Sequence, residues 1–263
     1  LSDGVELTVT EGIAHLALLH GDLGNPLDPA LVAQLRAGVA NVASNADVRA
    51  LFIRSRGRNF CFGGNFKTLS QAADLASHVR HITVDYHEFI EELLALPVPI
   101  FSVLQGGVAG AGIALGVAAD YVLAREDAHF TLAFAKLGAT PDGATTFLIP
   151  RLIGMRRFQE LLISNRRVGA AEAVAMGLVT EVVAADLFER RIGELETLAQ
   201  GLNRAAVAET RALILASYSN NLTEQLDRES RTLSRRCSSD EMKAALGAMV
   251  ASRRRPSKPS DEN

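Results

Sequence analysis

Two glycine-rich stretches, Asn59-Phe60-Cys61-Phe62-Gly63-Gly64-Asn65 and Gln105-Gly106-Gly107-Val108-Ala109-Gly110-Ala111-Gly112, decide how this chain folds. Each closes an apolar run that reads as a buried strand, Ala50 to Ser55 and Ile100 to Leu104, and each leads into a helical segment. At such a handover the first helical N–H groups lack a carbonyl partner four residues back, so unpaired backbone donors point off the strand end. Two such donors converging on one point form an oxyanion hole, which stabilises negative charge building on a carbonyl oxygen. That arrangement suits enolate chemistry at a thioester.

Working outward, Val5, Leu7 and Val9 alternate with polar residues, and Glu11-Gly12 turns the chain back into Ile13 to Leu19, a hairpin. Asp28-Pro29 caps a helix carrying Leu31, Leu35 and Val39 on one face. The polar segment from Lys67 to His81 carries little core signal and is expected to be a mobile lid. Tyr86 to Leu96 reads as a helix with Phe89, Leu93 and Leu96 on one side. Short strands at Tyr121 to Ala124 and His129 to Leu132 precede helices near Ala144 to Leu152, Arg156 to Ile163 and Ala170 to Met176. Beyond Leu187 the pattern is helical to Ser252. Repeated strand-then-helix units followed by helices imply an α/β core over residues 1–200, a carboxy-terminal helical element over 201–255 and a disordered tail over 256–263.

Composition narrows the function classes. A chain of 263 residues, 48% hydrophobic, buries one large core. Its net charge of −3 argues against nucleic acid as a partner, which calls for a basic domain. Local basic clusters, Arg54-Arg56-Arg58 and Arg253 to Arg255, read as solvated faces that a phosphate-bearing ligand could also meet. Cys61 and Cys237 are too few for a disulfide framework and lack metal-ligand spacing. Leu1-Ser2-Asp3-Gly4 lacks a signal-peptide opening, so a cytoplasmic location is expected. Val98 to Ala119 carries no charge, but Pro97, Pro99 and the Gly106-Gly107 pair break it, so a buried strand and helix explain it better than a membrane span.

Several further pieces occur in order. They are His20-Gly21-Asp22-Leu23-Gly24-Asn25-Pro26-Leu27-Asp28, Phe134-Ala135-Lys136-Leu137-Gly138-Ala139-Thr140-Pro141-Asp142-Gly143, Ile149-Pro150-Arg151-Leu152-Ile153-Gly154 and Ala173-Val174-Ala175-Met176-Gly177-Leu178-Val179. With the two glycine stretches, this ordered set resembles the crotonase (enoyl-CoA hydratase/isomerase) superfamily across nearly the whole chain. The resemblance implies a spiral of repeated ββα units with a C-terminal helical trimerisation element, hence a homotrimer or homohexamer. It also implies an acyl-CoA substrate, with coenzyme A entering as part of the thioester and no permanently bound cofactor or metal. Carried over, the oxyanion donors are the backbone N–H groups of Phe62 and Ala111, and Gly63, Gly110, Phe134, Tyr86 and Lys67 line the substrate site.

The acid/base residues must choose the reaction, because one fold hosts many chemistries. Where the family's hydratases carry two glutamates, this chain has Ala114 and Phe134, neither able to move a proton. Asp142 remains, in Pro141-Asp142-Gly143. In a similar context the Δ3,Δ2-enoyl-CoA isomerases and the phenylacetate-pathway ring isomerase use one acid as sole base, which suits a 1,3-proton shift. An aspartate before a helix is also a common N-cap, worth ~1 kcal/mol. The main alternative resembles the hydrolytic 4-chlorobenzoyl-CoA dehalogenases, in which Asp142 would attack the ring and His87 would activate water. His87 lies twelve positions before Pro99 and Asp142 twelve before Gly154, as in that branch, but its pocket tryptophan is replaced by Phe134. A catalytically silent acyl-CoA-binding homologue is the non-enzymatic alternative.

Overall fold

The computed structural model describes residues 4–253. By chain contacts these divide into one unit ending at Arg204 and a second beginning at Ala205.

The first unit opens with the hairpin β1 (Val5–Thr10) and β2 (Ile13–Leu18), turned at Glu11-Gly12. Asp28 then caps α1 (Pro29–Ser44), its carboxylate accepting from the Leu31 N–H at 3.0 Å with Pro29 in the first turn. Next come β3 (Ala50–Ser55), α2 (Phe66–Gln71), α3 (Leu75–Leu94), β4 (Ile100–Leu104), β5 (Gly107–Ala109) and α4 (Ala111–Val117). They are followed by β6 (Tyr121–Arg125), β7 (His129–Thr131), α5 (Thr145–Ile153), α6 (Met155–Ser164), β8 (Val168–Gly169), α7 (Ala170–Met176), β9 (Glu181–Val183) and α8 (Phe188–Gly201). The main sheet has six strands in the order β1-β2-β3-β4-β6-β9, parallel throughout except for the opening hairpin. A second sheet has three strands in the order β5-β7-β8.

The pleat sorts side chains by parity. Leu51 and Ile53 of β3, with Ile100 and Leu104 of β4, enter the larger core, which includes α1, α3 and α4. Ala50, Phe52, Phe101 and Val103 face the other way, under Phe188, Ile192, Leu195 and Ala199 of α8. Because both faces are covered, the central strands read as continuous apolar runs. On the α8 face the cross-strand neighbours His15, Phe52, Phe101 and Tyr121 form a row, with Phe52 and Phe101 stacked at 4.5 Å between centroids.

The segment from Lys67 to His81, expected as a mobile lid, is helical over most of its length, forming α2 and the first turns of α3. Asn65 and Asp74 cap these two helices, and capping needs no core pattern. None of α2's residues is buried, which is why hydrophobic periodicity was silent there. Of the second sheet, β7 matches the strand expected at His129 to Leu132, whereas β5 and β8 lie inside glycine-containing turns and carry no strand signal of their own.

The second unit is helical: the main part of α9 (Arg204–Ala216), then α10 (Leu222–Cys237) and α11 (Asp240–Arg253). A reciprocal capping box between Asn221 and Glu224 starts α10. Leu222, Leu226, Leu233, Leu246 and Met249 are exposed. The expected tail over 256–263 and the basic side chains of Arg253 to Arg255 lie outside the described residues. No described helix is long and apolar enough to cross a membrane.

Asn25 ties the loop before α1 to the end of β3. Fully buried, it donates to Ser55 Oγ at 2.7 Å and to the Phe60 carbonyl at 2.6 Å, and its Oδ1 accepts from the His20 N–H at 2.7 Å. Its φ of +42° adds a left-handed residue that alanine tolerates poorly. Asn25→Ala strands these buried partners and is expected to lower stability by about 2–4 kcal/mol, read as a lower urea midpoint.

Candidate active site

The two glycine stretches meet. Cys61 bridges to Val108 of β5, and Leu27 bridges to Gly64. Between these bridges Gly63, at φ +83°, presses its Cα on α4, so that a Cβ there would lie 2.9 Å from the Ala111 nitrogen. Only glycine permits both the backbone conformation and the approach. Gly110 sits across the same crossing, its Cβ position 3.4 Å from the Phe62 carbonyl oxygen.

Parity along the first stretch decides which donors are spoken for. The Phe62 N–H donates to the Gly24 carbonyl at 2.8 Å, so the expectation that it serves as an oxyanion donor is corrected: it is already satisfied inside the protein. The bridge to Leu27 uses the Gly63 carbonyl, at 2.8 Å, and the Asn65 N–H, at 3.1 Å, and passes over Gly64 itself. The Gly64 N–H and the Ala111 N–H, first in α4, have no hydrogen-bond partner among the described residues. The Phe62 ring packs against Gly24 and Gly107, whose Cβ positions would fall 2.1 and 2.2 Å from ring atoms. Gly64 was missed because strand alternation cannot be counted through a loop whose pairings are non-local. The signal lay in its position immediately before the helix-capping Asn65.

Asp142 stands in the turn before α5, half-buried. It does not cap that helix: the N-cap is Ala144, at φ +65°, with no side-chain cap bond. Only the Asp142 carbonyl is engaged there, accepting from the Thr145 N–H at 3.0 Å. Loss of solvent raises the Asp142 carboxyl above the ordinary carboxylate value, and the neighbouring His87 partly opposes this. The two positions at which the resemblance implies glutamates in a hydratase are apolar and buried, Ala114 within α4 and Phe134 before the turn that carries Lys136.

Tyr86 and His87 arrive from α3. Tyr86, expected to line the substrate site, is 1% exposed, and its hydroxyl donates to the Ala111 carbonyl at 2.8 Å, so it is an inner wall and not a ligand contact. Burial, then the nearby Cys61 and Asp142, hold its phenol well above the usual value, so it stays a neutral donor. His87 is exposed, and its Nε2 accepts from the Gly143 N–H at 3.1 Å. Lys67 lies on the exposed helix α2. The basic run is neutralised pairwise: Arg54 with Glu189 at 2.9 Å, Arg56 with Glu6, and Arg58 with Asp22 at 3.3 Å.

Known proteins resemble this chain over most of its length. The sequence profile of the enoyl-CoA hydratase/isomerase family matches residues 8–257. A probable enoyl-CoA hydratase of Rhodobacter capsulatus is 31% identical over 229 residues, 86% of this chain and 87% of that protein. The 1,2-epoxyphenylacetyl-CoA isomerase of Escherichia coli is 29% identical over 84% of this chain and 85% of its own. A 4-chlorobenzoyl coenzyme A dehalogenase of an Arthrobacter species is 27% identical over 71% and 68%. An enoyl-CoA hydratase/isomerase crystal structure from Cupriavidus metallidurans superimposes with a TM-score of 0.87 at 30% identity, covering 95% of this chain and 94% of that one. The chain belongs to the enoyl-CoA hydratase/isomerase family and has its crotonase-like α/β fold, with repeated β–α units and a C-terminal helical region.

Cys61, buried beneath the crossing, donates its thiol to the Asn25 carbonyl at 3.3 Å, and burial pushes its pKa up to about 12. The thiolate is the reactive form. Cys61 should therefore stay unlabelled by a thiol reagent in the native protein and become labelled only in denaturant, as read by peptide mass mapping.

Proposed function

We propose that the protein is an acyl-CoA isomerase that shifts a double bond by a 1,3-proton transfer, with Asp142 as its single acid/base. In this reading the backbone N–H groups of Gly64 and Ala111 hold the thioester oxygen. The Asp142 carboxylate takes a proton from the α-carbon, and the electron pair spreads to the thioester oxygen as a dienolate. The resulting carboxylic acid returns the same proton to the γ-carbon, so neither water nor a second carboxylate is consumed.

The observation that carries this reading is a desolvated carboxyl that caps no helix. A raised pKa brings a carboxylate closer to the operating pH of a general base. Ala114 and Phe134 support it from the other side, since water addition by the family's two-carboxylate route needs acids at both positions. The dehalogenase alternative asks His87 to activate water, but its Nε2 lone pair is engaged by the Gly143 N–H. The exposed leucines of α10 and α11 are in keeping with a homotrimer or homohexamer, and two free cysteines with a cytoplasmic setting.

With a 3-enoyl-CoA, Asp142→Ala is expected to lower kcat roughly hundred- to ten-thousand-fold while KM stays within a few-fold. The measurement is deuterium incorporation at the α- and γ-carbons, with ultraviolet detection of the conjugated product. Full activity in Asp142→Ala would remove the assignment. Thioester binding without any exchange in the parent protein would favour the silent homologue.

A raised carboxyl pKa also has a stability consequence. The native state binds this proton more tightly than the unfolded state, so its stabilising contribution is present below the unfolded value. It is lost as pH rises through the native value. Asp142→Asn should accordingly raise Tm at about pH 7, with the gain shrinking toward about pH 4.

A further inference from the structure

The mechanism above leaves two neighbouring residues of α3 without a task, and both reach the site's frame. The Tyr86 hydroxyl donates to the carbonyl of Ala111 at 2.8 Å, the residue whose N–H opens α4. The same ring fills the space over Gly143, where a Cβ would lie 2.4 Å from Cε1. One residue further on, His87 Nε2 accepts from the Gly143 N–H at 3.1 Å. One helix thus grips the turn that follows Asp142 and the start of α4.

That turn needs holding. Gly143 and Ala144 are consecutive left-handed residues, at φ +59° and +65°, and for alanine this backbone is unfavourable. Such conformations persist where the surroundings over-determine them. The Tyr86 ring and the His87 acceptor are the contacts found on Gly143. To accept this bond a neutral His87 carries its proton on Nδ1, so Nε2 is not available as a base.

We propose that Tyr86 and His87 are positioning residues, a clamp that holds the Asp142 turn in register with the Ala111 end of the oxyanion site, with His87 serving as an acceptor. The clamp's catalytic benefit rests on the Asp142 reading, whereas its hold on the turn does not. The 143 amide should therefore be protected whether or not the protein isomerises 3-enoyl thioesters.

The test compares His87→Gln, which offers an acceptor oxygen but cannot act as a base, with His87→Leu, which offers neither. Two quantities are read on the full chain: hydrogen exchange of the segment over residues 142–145, and isomerisation of 3-hexenoyl-CoA. His87→Leu is expected to speed exchange there at least tenfold and to lower kcat at least tenfold with KM within twofold. His87→Gln should restore both to within about threefold of the parent. Tyr86→Phe, lacking only the hydroxyl, should lower kcat in the same direction and be non-additive with His87→Leu. It also tests the clamp from the other end should His87→Leu not fold.

Unchanged exchange in His87→Leu would overturn the clamp. So would a His87→Gln protein whose kcat is as low as that of His87→Leu, since His87 would then be moving a proton. If the parent shows no isomerisation, or Asp142→Ala retains it, the Asp142 reading fails, while the exchange comparison still decides the clamp.

Discussion

The structure hangs on a backbone-to-backbone contact. Gly63 comes so close to the nitrogen of Ala111 that no side chain fits between them. The approach is fixed by pairing on both sides, Cys61 with Val108 and Leu27 with Gly64, and by the buried Asn25, which joins the loop before α1 to the end of β3. Two main-chain donors, at Gly64 and Ala111, are left over by this arrangement. Backbone N–H groups seek an acceptor, so these two donors are where a substrate oxygen would be received in the proposed reaction.

Around that contact the chemistry is spare. Asp142 holds a partly desolvated carboxyl without the compensation of capping a helix. The nearby Tyr86 phenol is held well above its usual value, first by burial, so it does not compete for the proton. The positions at which family hydratases carry acids hold Ala114 and Phe134, which contribute to the packed interior. In the proposed reaction one carboxylate suffices, because the proton leaves and returns to the same substrate.

Much of the scaffold could be read directly. The strand Ala50–Ser55, the capped helix at Asp28-Pro29 and the helix Ala170–Met176 follow local rules of alternation, capping and glycine termination, and appear as expected. The helices of the Lys67 to His81 segment were not legible, because α2 and the start of α3 are held by side-chain caps at Asn65 and Asp74 with little burial to leave a periodic signature. The short strands β5 and β8 are likewise invisible locally, since three or two residues gain their identity only from partners elsewhere in the chain.

By itself, the sequence determined which chemical groups exist: two glycine turns of matching type, the aspartate of Pro141-Asp142-Gly143, and no carboxylate at Ala114 or Phe134. Only the tertiary structure decided which of those groups are free. The Phe62 N–H is consumed by Gly24, the Gly64 N–H is passed over by the bridge to Leu27, and the Tyr86 hydroxyl is turned inward onto Ala111. Residue type is a local property, whereas hydrogen-bond occupancy is settled by partners distant in sequence, and a donor's availability is known only when all competing acceptors have been placed.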